Sequence, residues 1–241
     1  MRAQKPISRE KFIKKLKERG SERYQDSHPF TQLLNSGKLT NTQLHAWILN
    51  WFYYQNAIPL RDGAIISRCP ISDVRRIWVS RILIHDGYGE AEGGIEGWLR
   101  FAEASGLDRD VLLSARYLSG VRLAVDSLVE FARNSSWIEG VSTSLTQLFL
   151  PAVVEKRINA LAKHYGEIVN PEGMRYFMSL SAQAKKDSTT ALNLVLKYCD
   201  TSEKQEKAID AVIFSEDVLW TILDSIYSAY VIRGIPLSAS V

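Results

Sequence analysis

Periodicity is the strongest constraint on this chain. No segment sustains an apolar–polar alternation with β-branched enrichment, and no Asn-Gly or Asp-Gly turn joins two apolar runs. Apolar residues return instead every three or four positions, between residues that start and stop helices. Thr40 with Gln43 and Ser202 with Gln205 have capping-box spacing, which satisfies the first free N–H groups of a helix. Ser72, Asp108 and Ser119 are N-cap candidates, and Pro29, Pro59, Pro151 and Pro171 suit first helical positions. Gly20, Gly37, Gly87, Gly106 and Gly166 are placed to end helices in the left-handed conformation. The pattern predicts helices over roughly 8–19, 28–36, 40–57, 59–68, 72–86, 94–105, 108–118, 120–134, 136–150, 151–165, 171–199 and 202–232. Linkers are short and no repeat or low-complexity segment interrupts them. The expectation is one all-α domain spanning 1–241, a compact helical bundle, with 1–7 and 233–241 as loose tails.

With 241 residues, 46% hydrophobic and 24% charged, the chain has the profile of a soluble globular protein with a sizeable core. Its net charge of +3 is spread along the length, so no basic stripe or tail points to nucleic acid. The densest basic run, Lys11 to Arg19, carries Phe12, Ile13 and Leu16 at helical spacing and reads as the solvated face of an amphipathic helix. Cys69 and Cys199 have no metal or redox spacing, "MRAQKPISRE" lacks the apolar core of a signal peptide, and no stretch is apolar enough to span a bilayer. These features predict a cytoplasmic protein without a membrane partner.

Polar residues on apolar faces are the candidate site. Leu44, Trp47, Ile48, Trp51 and Gln55 form one buried stripe, with Tyr54 beside it. On the next helix the stripe is Val74, Ile77, Trp78, Arg81, Ile82 and His85, which puts a guanidinium and an imidazole one turn apart on the inward face. Such groups are costly to bury unless paired or turned to a ligand. One solution is an Arg81 paired with a carboxylate such as Asp62 beside a hydrogen-bonded core His85; the other is a pocket. Standard motifs are missing: there is no Gly-x-Ser-x-Gly, no P-loop and no strand-linked Gly-x-Gly-x-x-Gly, and the glycine-rich "HDGYGEAEGG" is acidic, unsuited to phosphate. None of the four histidines has a Glu three residues before it, so a carboxylate-bridged metal site is not expected.

Taken in order, "FYYQNAIPLRDGAI", "RRIWVSRILIHDG", "GGIEGWLRFAEASGL", "SLTQLF" and "SEKQEKAIDAVIFSEDVLWTILDSIYSAY" resemble the pyrroloquinoline-quinone synthase (PqqC) family, from about residue 8 to about 230. The resemblance implies a haem-oxygenase-like, PqqC/TenA-like fold and a homodimer. It also implies an enzyme free of metal and flavin, which uses O₂ to oxidise and close a ring in an amino-acid-derived polycarboxylate. Tyr24, Tyr54, Gln55, Arg81, His85, Arg157 and Tyr176 stand where the family keeps the same residue in or beside its pocket, and Arg61 replaces a family lysine. Other positions depart. Gln25 stands where the family has an active-site His, Trp51 where it has Arg, Leu180 where it has Arg and Ser215 where it has Lys; Val154 stands where members vary between His and aliphatic residues.

The departures remove cations from a shell that must hold three carboxylates and two quinone oxygens in the family's product. Each lost contact to a desolvated carboxylate costs about 2–5 kcal/mol. The resulting expectation is a PqqC-like O₂-dependent oxidase acting on a smaller, less anionic, aromatic and amino-acid-derived substrate. The alternatives are an authentic pyrroloquinoline-quinone synthase, a non-catalytic binding protein of the same fold and a metal-dependent oxygenase. His85 is assigned as general acid/base, Arg81 as the group that stabilises charge and Tyr176 as an aid to proton transfer. Trp51 is expected to stack the substrate ring in place of a carboxylate clamp.

Overall fold

The computed structural model describes residues 5–237. Among these, eleven α-helices dominate: α1 (Arg9–Ser21), α2 (Pro29–Asn35), α3 (Asn41–Arg68), α4 (Ser72–Asp86), α5 (Gly94–Ala104), α6 (Arg109–Leu113), α7 (Ser119–Asn134), α8 (Trp137–Ser142), α9 (Leu150–His164), α10 (Pro171–Tyr198) and α11 (Ser202–Ile226). The helical periodicity thus translates into an all-α fold. The exception is a minimal antiparallel ladder, β1 (Gly87–Tyr88) with β2 (Ala91–Glu92), in the acidic glycine-rich segment. Gly87 there has φ of 88°, and a Cβ would lie 2.8 Å from the Ala91 carbonyl oxygen, so the turn from α4 into this hairpin requires glycine.

Pro59 departs from the expected first helical position. It does not open a second helix; α3 runs through it as a single 28-residue helix. Proline leaves the Gln55 carbonyl without its usual partner, but packing decides: sixteen of the α3 residues are buried, Ile58 and Pro59 among them. The helix starts on the expected capping box, with Gln43 N–H donating to Thr40 Oγ1 at 3.3 Å and Thr40 N–H donating to Gln43 Oε1 at 2.9 Å, and ends before Pro70.

Smaller corrections follow the same logic of local competition. Thr201, not Ser202, caps α11, and the Gln205 side chain pairs with the backbone of Ile7 at 2.9 and 3.2 Å. Ser72 and Ser119 are first helical residues behind Ile71 and Leu118. Gly37, Gly87 and Gly106 have positive φ, whereas Gly20 lies inside α1. The predicted 136–150 helix is α8 followed by a 3₁₀ stretch, Thr143–Leu148, and a π-helical turn, Tyr227–Ile232, succeeds α11. Helix α6 stops at Leu113, short of the expected 118, and a 3₁₀ turn, Gln25–Ser27, precedes α2.

Two apolar clusters form the core. One gathers Trp47, Trp98, Phe101, Leu128, Phe177 and Ile222; the other gathers Phe12, Leu16, Ile65, Trp78, Val141 and Ile209. Helix α3 contributes to both, the first through Leu44–Ala57 and the second through Ala64 and Ile65. Cys69 and Cys199 are buried free thiols. No helix of the described residues is long and apolar enough to cross a membrane.

Candidate active site

Trp51, Tyr54, Gln55 and Ile58 recur at three- and four-residue spacing, so α3 presents them as one face. That face is one wall of a cavity of about 550 Å³, measured to the side-chain surfaces and including its mouth. Tyr24 and Gln25, Arg157 of α9 and Leu219 of α11 also line it, together with His85 in the last turn of α4 and Tyr176 and Leu180 of α10. A second cavity continues outward from His85, Gln147, Tyr176 and Leu180, along the hairpin's Glu92 and Gly93 and down α10 to Asp187. Close packing here uses glycine: a Cβ on Gly97 would lie 3.1 Å from the Tyr176 ring.

Nine of the twelve residues singled out from sequence line the first cavity: Tyr24, Gln25, Trp51, Tyr54, Gln55, His85, Arg157, Tyr176 and Leu180. Arg81, Arg61 and Ser215 do not. Arg81 is held by carboxylates behind the wall, with Nε donating to Asp62 Oδ2 at 3.1 Å and Nη1 lying 2.8 Å from Asp187 Oδ2. Arg61 donates through Nε and Nη2 to Asp62 Oδ1 at 3.0 and 2.8 Å. Ser215 is buried outside the lining. Sequence reasoning missed Ile58, Trp98, Thr146, Gln147, Leu150, Phe177 and Leu219 on the wall; Thr146 and Gln147 lay within a motif already noted, but their 3₁₀ geometry hid which way they face.

The charge network behind α3 is electrically closed. Two guanidiniums, Arg61 and Arg81, meet two carboxylates, Asp62 and Asp187, and Gln183 donates to Asp187 at 2.8 Å. Burial alone would disfavour the charge on Asp62, yet the two arginines hold its carboxyl below the usual range. Gln147 joins this network to the cavity: its Oε1 accepts from Arg81 Nη1 at 3.4 Å, and it lines both cavities.

On the cavity wall itself, Arg157 is the one guanidinium or ammonium among the described residues. It is 4% exposed, makes no ion pair, leaves Nε without a hydrogen bond and rests 4.9 Å over the Trp47 ring. Burial lowers its pKa from the usual arginine value, but an arginine remains charged. His85 is 9% exposed and is pushed down to about 4, first by burial and then by Arg81 and Arg61, with Asp62 opposing. Its imidazole is therefore neutral at neutral pH and a weaker base than an exposed histidine. Burial pushes the Tyr176 hydroxyl up, so it stays a donor. His28, in contrast, is fully satisfied: Nδ1 accepts from Phe30 N–H at 3.0 Å and Nε2 meets Asp224 at 2.9 Å. His45 bonds the Ser105 carbonyl at 2.6 Å. Trp51 meets Tyr54 edge to face at 5.4 Å, which fixes its ring as part of the wall. Among the described residues no group of three or more His, Cys, Asp or Glu side chains is placed to hold a metal ion.

A model of the TENA/THI-4/PQQC family matches residues 13–225. A pyrroloquinoline-quinone synthase from Cronobacter sakazakii is 43% identical over 98% of this chain and 94% of its own length, and one from Rhizobium meliloti is 46% identical over 94% and 88%. Solved structures share the fold at lower identity. A haem-oxygenase-like domain of unknown function from Shewanella denitrificans superposes with a TM-score of 0.73 at 16% identity, covering 94% of this chain and 95% of that one. A TenA homologue from P. horikoshii OT3 gives 0.73 at 11%, covering 90% and 98%. Fold, motif order and full-length similarity agree, and the chain belongs to the TENA/THI-4/PQQC family.

Proposed function

We propose that the chain is a pyrroloquinoline-quinone synthase, an O₂-dependent oxidase that oxidises and closes a ring in an amino-acid-derived polycarboxylate precursor. The observation that carries this reading is the 43–46% identity to proteins of that name over 94–98% of the chain. A chain so matched is an enzyme. The sequence alone ranks a different, less anionic substrate first; the full-length identity moves the balance to the synthase.

The site residues suit the chemistry. Arg157 is available to pair with a substrate carboxylate, and the desolvated wall strengthens that contact. A neutral His85 accepts the proton that the substrate loses, and a bound anion next to it raises its basicity. Tyr176, held protonated, donates a hydrogen bond towards oxygen-derived species. With no electron carrier in this scheme, the electrons pass from the substrate to O₂, and each two-electron step delivers two electrons and two protons to give H₂O₂. The homodimer and the metal- and flavin-free state belong to the same reading, and gel filtration and elemental analysis check them.

The deciding experiment incubates purified enzyme with the synthase's precursor in air and under argon. Pyrroloquinoline quinone formed in air alone supports the reading. No product, together with no binding of pyrroloquinoline quinone at micromolar concentration, overturns it. That outcome would favour a less anionic substrate, the reading suggested by a wall on which Arg157 is the one unpaired cation among the described residues.

A further inference from the structure

Where the Gln25–Ser27 turn meets α11, several buried polar atoms lack any partner. Both carboxyl oxygens of Glu216 and the Gln25 side-chain oxygen make no hydrogen bond among the described residues. Glu216 is 1% exposed and lies one helical turn before Leu219, which lines the cavity. It acts electrostatically on the hydroxyls of Tyr24 and Tyr54, both on the cavity wall. No cation among the described residues forms an ion pair with it. Arg61 and Arg81 are taken by Asp62 and Asp187, Arg23 by Asp217, and Arg157 forms no ion pair.

A buried carboxyl with both oxygens unmatched is costly, and native folds rarely keep one without a use. Burial, and then the charge of Asp217, raises its pKa to about 9, so the acid is neutral at pH 7 unless a cation lies beside it. Tyr24, on the cavity wall, is coupled electrostatically to both Glu216 and Arg157, so the unpaired acid and the guanidinium without an ion pair act on the same wall residue.

We propose that Glu216, with the Gln25 side-chain oxygen, is a specificity-determining subsite for a protonated amine of the ligand, complementary to a carboxylate held by Arg157. An arriving ammonium supplies the N–H donors these oxygens lack and stabilises the ionised carboxylate. The proposal rests on the cavity being the substrate site of the oxidase. It narrows the substrate class to molecules that carry both an amine and a carboxylate.

The test uses a matched pair of probes, 3,4-dihydroxyphenylalanine and 3-(3,4-dihydroxyphenyl)propionate, which differ only in the ammonium group, and pyrroloquinoline quinone as a polycarboxylate without an amine. Calorimetry at pH 7 measures all three against the wild type, Glu216→Gln, Gln25→Leu and Arg157→Gln. The wild type should bind the amine at least about tenfold tighter than its partner, the scale of one charge-assisted contact. Glu216→Gln should bring that preference within about twofold and leave pyrroloquinoline quinone as tight or tighter. Gln25→Leu should reduce it in the same direction, and Arg157→Gln should weaken all three. Equal affinities in the wild type, a preference that survives Glu216→Gln, or no binding of any probe overturns the subsite. Binding is the readout, so failure to form product from the precursor strikes the proposed activity and not this preference. Lost preference with synthesis intact strikes the subsite alone.

Discussion

Two groups of buried charge flank the same cavity and are built on opposite plans. Between α3, α4 and α10, Arg61, Asp62, Arg81 and Asp187 answer one another and carry no net charge. Around the Gln25 turn, α9 and α11, Arg157 and Glu216 leave polar atoms unmatched. The protein tolerates the second arrangement only at a cost in stability, whereas in the first every charge meets an opposite one, with Arg81 Nη2 alone left without a hydrogen bond. Burial of a charged side chain therefore does not by itself mark a candidate ligand site; burial beside the cavity without an opposite charge makes the stronger candidate.

Breaking the closed group should have the largest effect. Asp62→Asn leaves two buried guanidiniums short of a carboxylate and should cost about 3–5 kcal/mol in urea unfolding. A loss under about 1 kcal/mol would show that water enters the network.

The open group should respond with the opposite sign. Glu216 has a folded pKa of about 9 against an ordinary 4.5, so its contribution is fully present below about pH 4.5 and is lost as pH rises towards 9. Each pH unit above 4.5 costs about 1.4 kcal/mol, or about 3 kcal/mol by pH 7. Glu216→Gln should therefore be more stable than the wild type by about that amount at pH 7 and no different at pH 4. Unfolding curves that stay parallel from pH 4 to 8 would place the carboxyl in water.

His85 stands between the two groups. His85→Asn should leave thermal unfolding within a few degrees of the wild type and slow O₂ consumption by about 10²-fold, the scale of one acid–base group. Turnover at the wild-type rate would remove it from the chemistry. The smallest effect belongs to Arg157→Met: stability should move by no more than about 1 kcal/mol, because no carboxylate is abandoned, while affinity for a carboxylate ligand falls.

Much of this was readable from residue spacing. Trp51, Tyr54, Gln55 and His85 declared themselves by sitting on apolar stripes, and each reaches the cavity. Arg81 obeyed the same rule and yet lies behind the wall. Its second partner, Asp187, comes from a helix more than a hundred positions away, and no local pattern links them. Glu216 was overlooked within "FSEDVLW", where adjacent acids look like a solvated face. The signal was present: Val212, Leu219 and Leu223, at offsets of four, three and seven, put it on the buried stripe of α11. The hairpin at 87–92 was unreadable because two-residue strands are too short for periodicity to register.

The unbroken passage of α3 through Pro59 joins the two plans mechanically. Trp51, Tyr54 and Gln55 lie on the same rod as Arg61 and Asp62, so the part that lines the cavity inherits its position from the part behind it. A lineage can then exchange the side chains that recognise a molecule without rebuilding what holds them in place. A single continuous strut lets this scaffold drift towards new molecules while its framework remains standing.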